Sequence, residues 1–267
     1  MRGGFRGEPR AREGVIGRPA RRCRAPIVLA LLLAVTAQPA VAQRSGDGYL
    51  FGAPHGRLSV RGGFSHATAA GDLFDEVTTN LTLSRRDFSG AYAGAEFGVN
   101  LTDRLEFGAD IAYMATRTPS EYRAFVDNSN RPIAQTTELR RIPVMLNARF
   151  HLTPPGRSIG RLAWIPASVA PWVGAGVGAM WYRFDQRGDF IDFNTNKVFA
   201  DEYLSTGWQP AVQVMAGLDM TITPRLAITG DARYIHARAP LSKDFVGFRD
   251  RIDLSGAAVA LGLTVRL

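Results

Sequence analysis

Apolar and polar residues alternate with a period of two in eight stretches of this chain, and the last is the plainest. Over residues 252–267, Ala257, Val259, Leu261, Leu263, Val265 and Leu267 fall on one side; Gly256, Ala258, Ala260, Gly262, Thr264 and Arg266 fall on the other. Such spacing predicts a strand, whose successive side chains point to opposite faces. The large apolar side chains share one face, which therefore needs an apolar neighbour outside the sheet itself.

Seven earlier stretches carry the same signature. Leu58, Val60 and Phe64 oppose Ser59, Arg61 and Ser65; Ala93, Ala95, Phe97 and Val99 oppose Tyr92, Gly94, Glu96 and Gly98. Leu105, Phe107, Ala109 and Ile111 oppose Glu106, Gly108, Asp110 and Ala112, and Val144, Leu146, Ala148 and Phe150 oppose Arg141, Met145, Asn147, Arg149 and His151. Val173, Ala175, Val177 and Trp181 oppose Gly174, Gly176, Gly178 and Tyr182. Val212, Val214, Ala216, Leu218 and Met220 oppose Gln213, Gly217 and Asp219, and Ile228, Ala232 and Tyr234 oppose Thr229, Asp231 and Arg233. The expected strands are about 9 to 14 residues long. Three-residue turns, Thr102-Asp103-Arg104 and Thr223-Pro224-Arg225, join two of the pairs. Polar loops are expected over residues 66–88, with some strand extension at 81–84, and over 118–137, 185–203 and 237–250; the connection 153–169, with an isolated Trp164, is long for a short-turn side.

Eight two-faced strands with alternating short and long connections fit a closed antiparallel barrel, either soluble with apolar residues inside or membrane-embedded with them outside. Three features favour the membrane arrangement. Glycines (Gly94, Gly98, Gly108, Gly174, Gly176, Gly178, Gly217, Gly262) gather on the polar face, as a narrow lumen requires. Aromatics (Tyr113, Phe150, Trp181, Tyr182, Trp208, Tyr234) lie toward strand ends, as interfacial girdles do. Lysine, normal on a solvated strand, is almost absent from the strands.

Composition and charge refine this picture. The 267 residues are 46% hydrophobic and 21% charged, with a formal charge of +8. Residues 1–42 hold eight Arg against Glu8 and Glu13, so 24 basic and 22 acidic side chains remain beyond them, which removes the case for a nucleic-acid partner. The leader has a basic start, an apolar run over residues 27–35 and Ala40-Val41-Ala42. These read as a signal peptide over 1–42 with Ala40 and Ala42 at its cleavage site, a short mature lead over 43–55, and a barrel over 56–267. Cys23, the single cysteine, falls in the leader, so the exported chain has neither disulfide nor thiolate metal site. No later apolar stretch is long enough for a membrane-spanning helix.

The chain resembles the outer-membrane β-barrel family of the eight-stranded OmpA/OmpW/opacity-protein type. The resemblance rests on the leader, the repeated turns over residues 101–105 and 222–226, the strand PWVGAGVG and the terminal ALGLTVRL, and it covers residues 56–267. It implies an all-β, eight-stranded, antiparallel, up-and-down transmembrane barrel in the outer membrane, in contact with its lipid and, during biogenesis, with the barrel-assembly machinery and periplasmic chaperones. Leu263, Val265 and Leu267 would carry the assembly signal; family members usually end on an aromatic residue where this chain has Leu267. The barrel is expected to be a monomer.

Inward polar faces would bring Arg61, Glu96, Glu106, Asp110, Arg141, Arg149, Asp219, Asp231 and Arg233, with Arg266 at the margin, into one lumen charge network. No further domain is expected after the barrel. Context excludes other chemistry. The GxGxG over residues 174–178 alternates like a strand and has no helix after it, so it is not a nucleotide loop. Of the four His, His66 and His236 have Ser65 and Ser242 in their general area without dyad spacing, and no two His share metal-ligand spacing. No catalytic residue, metal ligand or cofactor is expected. The reading is a non-enzymatic barrel with a structural or surface-interaction role. The alternatives are an OmpW-like passive channel for small or apolar solutes and, from another class, a soluble periplasmic barrel binding a lipophile.

Overall fold

The computed structural model describes residues 48–127, 129–160, 162–192, 195, 197–245 and 251–267. Eight long strands dominate it: β1 (Gly56–Ala67), β2 (Gly90–Asn100), β3 (Leu105–Val126), β4 (Pro132–His151), β5 (Val169–Asp192), β6 (Lys197–Thr221), β7 (Leu226–Ala239) and β8 (Gly256–Arg266). Each pairs antiparallel with its sequence neighbour. β8 also pairs with β1, from Arg266 opposite Arg57 to Gly256 opposite Ala67, which closes the ring. The fold is therefore the eight-stranded up-and-down barrel expected from the alternation, and closure leaves the ring no free edge.

The short turns share one device. In both, a threonine hydroxyl accepts the backbone N–H three residues on, Leu105 N–H to Thr102 Oγ1 at 2.9 Å and Leu226 N–H to Thr223 Oγ1 at 3.0 Å. The 153–169 connection is built up rather than open. Strands Gly156–Ile159 and Ala163–Pro166 form a hairpin, and Leu50–Phe51, from the expected lead, adds a third strand. Leu50 and Trp164 lie buried in this small sheet, and a Cβ at Gly156 would come within 2.2 Å of the Trp164 ring.

On the barrel's outer face, the apolar side of every alternating stretch is exposed: Val60, Leu146, Val177 and Leu261 are each more than 60% accessible. The polar side is inside. A wall of bare aliphatic side chains around a buried charged interior is the membrane-barrel arrangement, since only an apolar surround makes it stable. No helix among the described residues is long and apolar enough to cross a membrane.

Four expectations need correction at the other end. β3 to β6 run 20 to 25 residues, so most of 118–137 and 185–203 is strand rather than loop. Their outward positions there are polar (Arg117, Glu138, Arg187, Glu202), while Tyr122, Ile133, Leu139, Phe184, Phe190 and Tyr203 are buried within. Residues 66–88 contain a helix, α1 (Asp72–Asn80), and a 3₁₀ turn at Arg85–Phe88; the strand extension expected at 81–84 is reduced to one bridge, Leu81 to Tyr122. Tyr182 turns inward, where its hydroxyl donates to the Pro240 carbonyl at 2.9 Å and meets Ser205 Oγ at the same distance, so it is no girdle residue. The terminal strand is interrupted: Ile252–Asp253 pairs only with Arg238–Ala239, and β8 begins at Gly256.

α1 carries Asp72 and Asp75 in its first turn, where negative charge suits the helix N-terminus. Its buried residues, Leu73, Phe74 and Val77, fill the loop end. Phe74 lies edge-on to Phe88 at 4.8 Å and Phe184 at 6.0 Å between ring centres, and Phe184 meets Phe245 at 5.6 Å. The expected leader, with Ala40 and Ala42, lies outside the described residues, as does part of the expected loop 237–250.

Candidate functional site

The lumen of the apolar-walled half is the densest cluster of ionisable groups in the described residues. Register explains why it forms. Glu96 of β2 stands directly opposite Asp110 of β3, and two carboxylates so placed repel one another. Guanidiniums from three other strands come between and around them. Glu96 accepts from Arg57 (2.5 Å) and Arg149 (2.6 Å) and is ion-paired with Arg61 at 2.5 Å. Asp110 is bound by Arg233 at 2.6 Å and Arg61 at 3.3 Å, and Arg233 also reaches Asp231 at 2.8 Å. Arg57 Nε donates to Glu106 at 2.7 Å.

Neutral groups extend the network. Gln213 donates to Asp110 at 3.3 Å and to Asn147 at 2.6 Å. A hydroxyl chain runs from Ser59 through Thr264 to Thr229, each step 2.6 Å, and Thr229 donates to Asp219 at 2.6 Å. Toward the short-turn end, the Arg149 guanidinium stacks 3.7 Å over the buried Trp172 ring, a cation–π contact that gives the charge a further partner. Glycines make the space: a Cβ at Gly98 would come within 2.2 Å of Glu106, at Gly176 within 2.1 Å of Asn147, and at Gly262 within 2.6 Å of Arg61.

Of the nine residues expected in the network, Arg61, Glu96, Glu106, Asp110, Arg149, Asp231 and Arg233 meet through ion pairs, and Asp219 joins through Thr229. Arg141 does not. It lies nearer the loop end, where it donates to the carbonyls of Leu254 (3.1 Å) and Ser255 (3.3 Å) and to Ser65 Oγ (3.2 Å). It thus pins the break that precedes β8. Arg266 donates to the Pro224 carbonyl and Thr221 Oγ1 at the short-turn rim. Arg57 was missed because the expected first strand starts one residue later, although it shares the parity of Arg61. Leu263, Val265 and Leu267 point outward and are exposed.

The Ser and His groups pair differently from the neighbourhood expected. His66 Nδ1 lies 3.0 Å from Ser89 Oγ and His236 Nδ1 lies 3.1 Å from Ser255 Oγ. Ser89 Oγ also accepts the Ala67 N–H, and Ser255 Oγ also accepts the Ala237 N–H, so both hydroxyls are tied to strand-end backbone. Ser65 serves Arg141, and Ser242 donates to the Leu204 carbonyl. Among the described residues no group of His, Cys, Asp and Glu could hold a metal ion.

Between Arg141 and the outer loops the lumen turns apolar. Leu139 and Ile133 lead up to the Phe74, Phe184 and Phe245 cluster, and all are buried; Met145 and Met180 lie on the short-turn side of Arg141. Burial there pushes the Tyr203 phenol up to about 12.

No protein-family model matches the chain, and no curated protein matches it. Solved structures that resemble it include the outer membrane protein OprG of Pseudomonas aeruginosa, with 12% identity, coverage of 82% of this chain and 99% of that one, and a TM-score of 0.43. Outer membrane protein W of Escherichia coli gives 15% identity, 80% and 99% coverage, and a TM-score of 0.38. The outer membrane protease OmpT of Escherichia coli gives 12% identity, 80% and 95% coverage, and a TM-score of 0.30.

Proposed function

We propose that this chain is an integral outer-membrane barrel, monomeric and non-enzymatic, that spans the bilayer as a closed body and acts through its loop end. The observation that carries this reading is the filled interior. A lumen eight strands wide has room only for its own side chains, and here an ion-paired layer around Glu96 is succeeded by the Arg141 tie and then by the aromatic plug against α1. Buried ion pairs of this kind contribute little net stability. Their role is to let strands with small and charged inner faces close without water columns. Outside, the exposed aliphatic belt is matched to lipid, and Leu263, Val265 and Leu267 form the part of that belt that the barrel-assembly machinery and chaperones would meet on β8.

The competing reading is a passive channel, and conductance separates the two. Purified protein in planar bilayers is expected to give no unitary steps above the bare membrane, while retaining heat-modifiable gel mobility and partitioning into detergent with the membrane fraction. Regular steps that change size in Glu96→Gln would establish a pore instead, and release with the soluble periplasm would remove the membrane reading altogether.

A further inference from the structure

Above the aliphatic belt, the outer face of β3 to β6 carries a cluster of arginines that the lumen does not explain. Register stacks it directly on an aromatic level: Ile142, Trp181 and Trp208 lie in one outward row, Arg140 and Arg183 in the next outward row, and Arg187 two rows further out. Two carboxylates, Glu138 and Asp185, stand opposite each other between those rows. They are almost fully buried, with side chains 6% and 1% accessible, whereas Arg140, Arg183 and Arg187 are 42%, 34% and 42% accessible. The acids therefore lie underneath and the guanidiniums on top. Arg140 pairs with Glu138, Arg187 reaches the same carboxylate at 3.7 Å, and Arg183 holds Asp185 at 2.8 Å. Each arginine is anchored on one side and presents its remaining N–H groups to the surroundings. Glu202, 3.7 Å from Arg183 and half exposed, is an acid at the surface of the cluster.

Beside Arg187 the same face is hollow. Gly188 and Ala134 leave a groove of about 350 Å³, walled by Arg187, Thr136, Thr82 and Glu121. Hydroxyls, one carboxylate and small residues suit a sugar ring, and anchored guanidiniums suit phosphate oxygens, which they bind bidentately. Tryptophans mark the level at which a bilayer's polar interface sits against a barrel. From this juxtaposition we infer that the Arg140, Arg183 and Arg187 face binds the phosphorylated sugar headgroup of a lipid in the surrounding leaflet, phosphate on the arginines and sugar in the groove. The inference rests on the membrane reading above; a free sugar phosphate has the same headgroup chemistry, but only a lipid has a reason to lie at the tryptophan level.

The test uses the full chain folded in detergent, its insertion checked separately by heat-modifiable mobility so that a failed barrel is distinguishable from a failed site. Diphosphoryl lipid A is the probe, and retained lipid is counted by native mass spectrometry, with soluble glucosamine phosphate as competitor. Wild type is expected to retain lipid A at least tenfold better than Arg140→Gln/Arg183→Gln/Arg187→Gln, and Arg238→Gln, on β7 and outside the cluster, to retain it like wild type. Because the triple variant strips partners from buried acids, Ala134→Trp serves as a second variant: it fills the groove without altering charge, and a severalfold loss is expected. Equal retention by wild type and Ala134→Trp, or glucosamine phosphate displacing lipid A at equal concentration, would overturn the inference.

Discussion

The two halves of the barrel have opposite polarity. In the half bounded by the short turns, Val60, Leu146 and Leu261 face out and Arg61, Glu96 and Asp110 face in; in the half that carries α1, Arg117, Arg187 and Glu202 face out and Leu139, Phe184 and Tyr203 face in. One continuous set of strands crosses from one regime to the other with its parity unchanged. β5 shows this along its length: Trp172 packs under Arg149, whereas Phe184, on the same face, packs against Phe74. A strand's period says which residues share a face, and the surroundings decide which face is the apolar one. Loop-end strands therefore obey the rules of a soluble barrel, and belt strands those of a membrane barrel.

This contrast sets the expected ranking of substitutions. The largest effect is expected for Glu96→Ala, which takes a partner from three guanidiniums in the belt half and leaves Arg149 without a paired carboxylate; removing one partner of a buried pair costs about 3–5 kcal/mol, and denaturant titration in lipid vesicles should show the loss. A sharper comparison places one residue on the outer face of each half. Leu261→Arg should cost about 2–4 kcal/mol, as for arginine near a bilayer midplane, whereas Thr136→Arg should stay within about 0.5 kcal/mol, as a surface change does. Equal costs would mean that the belt ends elsewhere. A modest effect, below that of Leu261→Arg, is expected for Ile133→Val in the plug, about 0.5–1.5 kcal/mol, with faster amide exchange confined to α1 and the ends of β3 to β6 and the belt half unmoved.

The belt half was legible in the sequence because its two faces differ in size as well as polarity. Gly98 against Phe97, or Gly176 against Val177, leaves no ambiguity about which side is crowded. The loop half was not, for a physical reason: its outward residues are charged and its inward ones interleave with Pro, Ser, Asn and Gly, so residues 118–137 read as loop. Their strand character comes from cross-strand pairing, as between Thr137 and Gln186, and a single strand cannot display that. α1 was hidden similarly, since a nine-residue helix is held by the barrel it plugs rather than by its own propensity. In the network, parity alone placed eight of the nine expected residues together. Arg141 has the right parity, but its height along the strand puts it beside the carbonyls of Leu254 and Ser255.

Closure of the ring has a consequence for the order of folding. The Ser59–Thr264 contact joins residues 205 apart in the chain, so the loop entropy of nearly the whole barrel must be lost before β1 and β8 meet. The plug draws its residues from α1, β3, β5, β6 and the segment around Phe245, and these converge only inside a completed ring. Its condensation is therefore a late event. A species with the belt formed and the aromatic cluster still hydrated should precede the native state, detectable as a kinetic phase in which Phe74 and Phe184 become protected after the ion-paired layer is already in place.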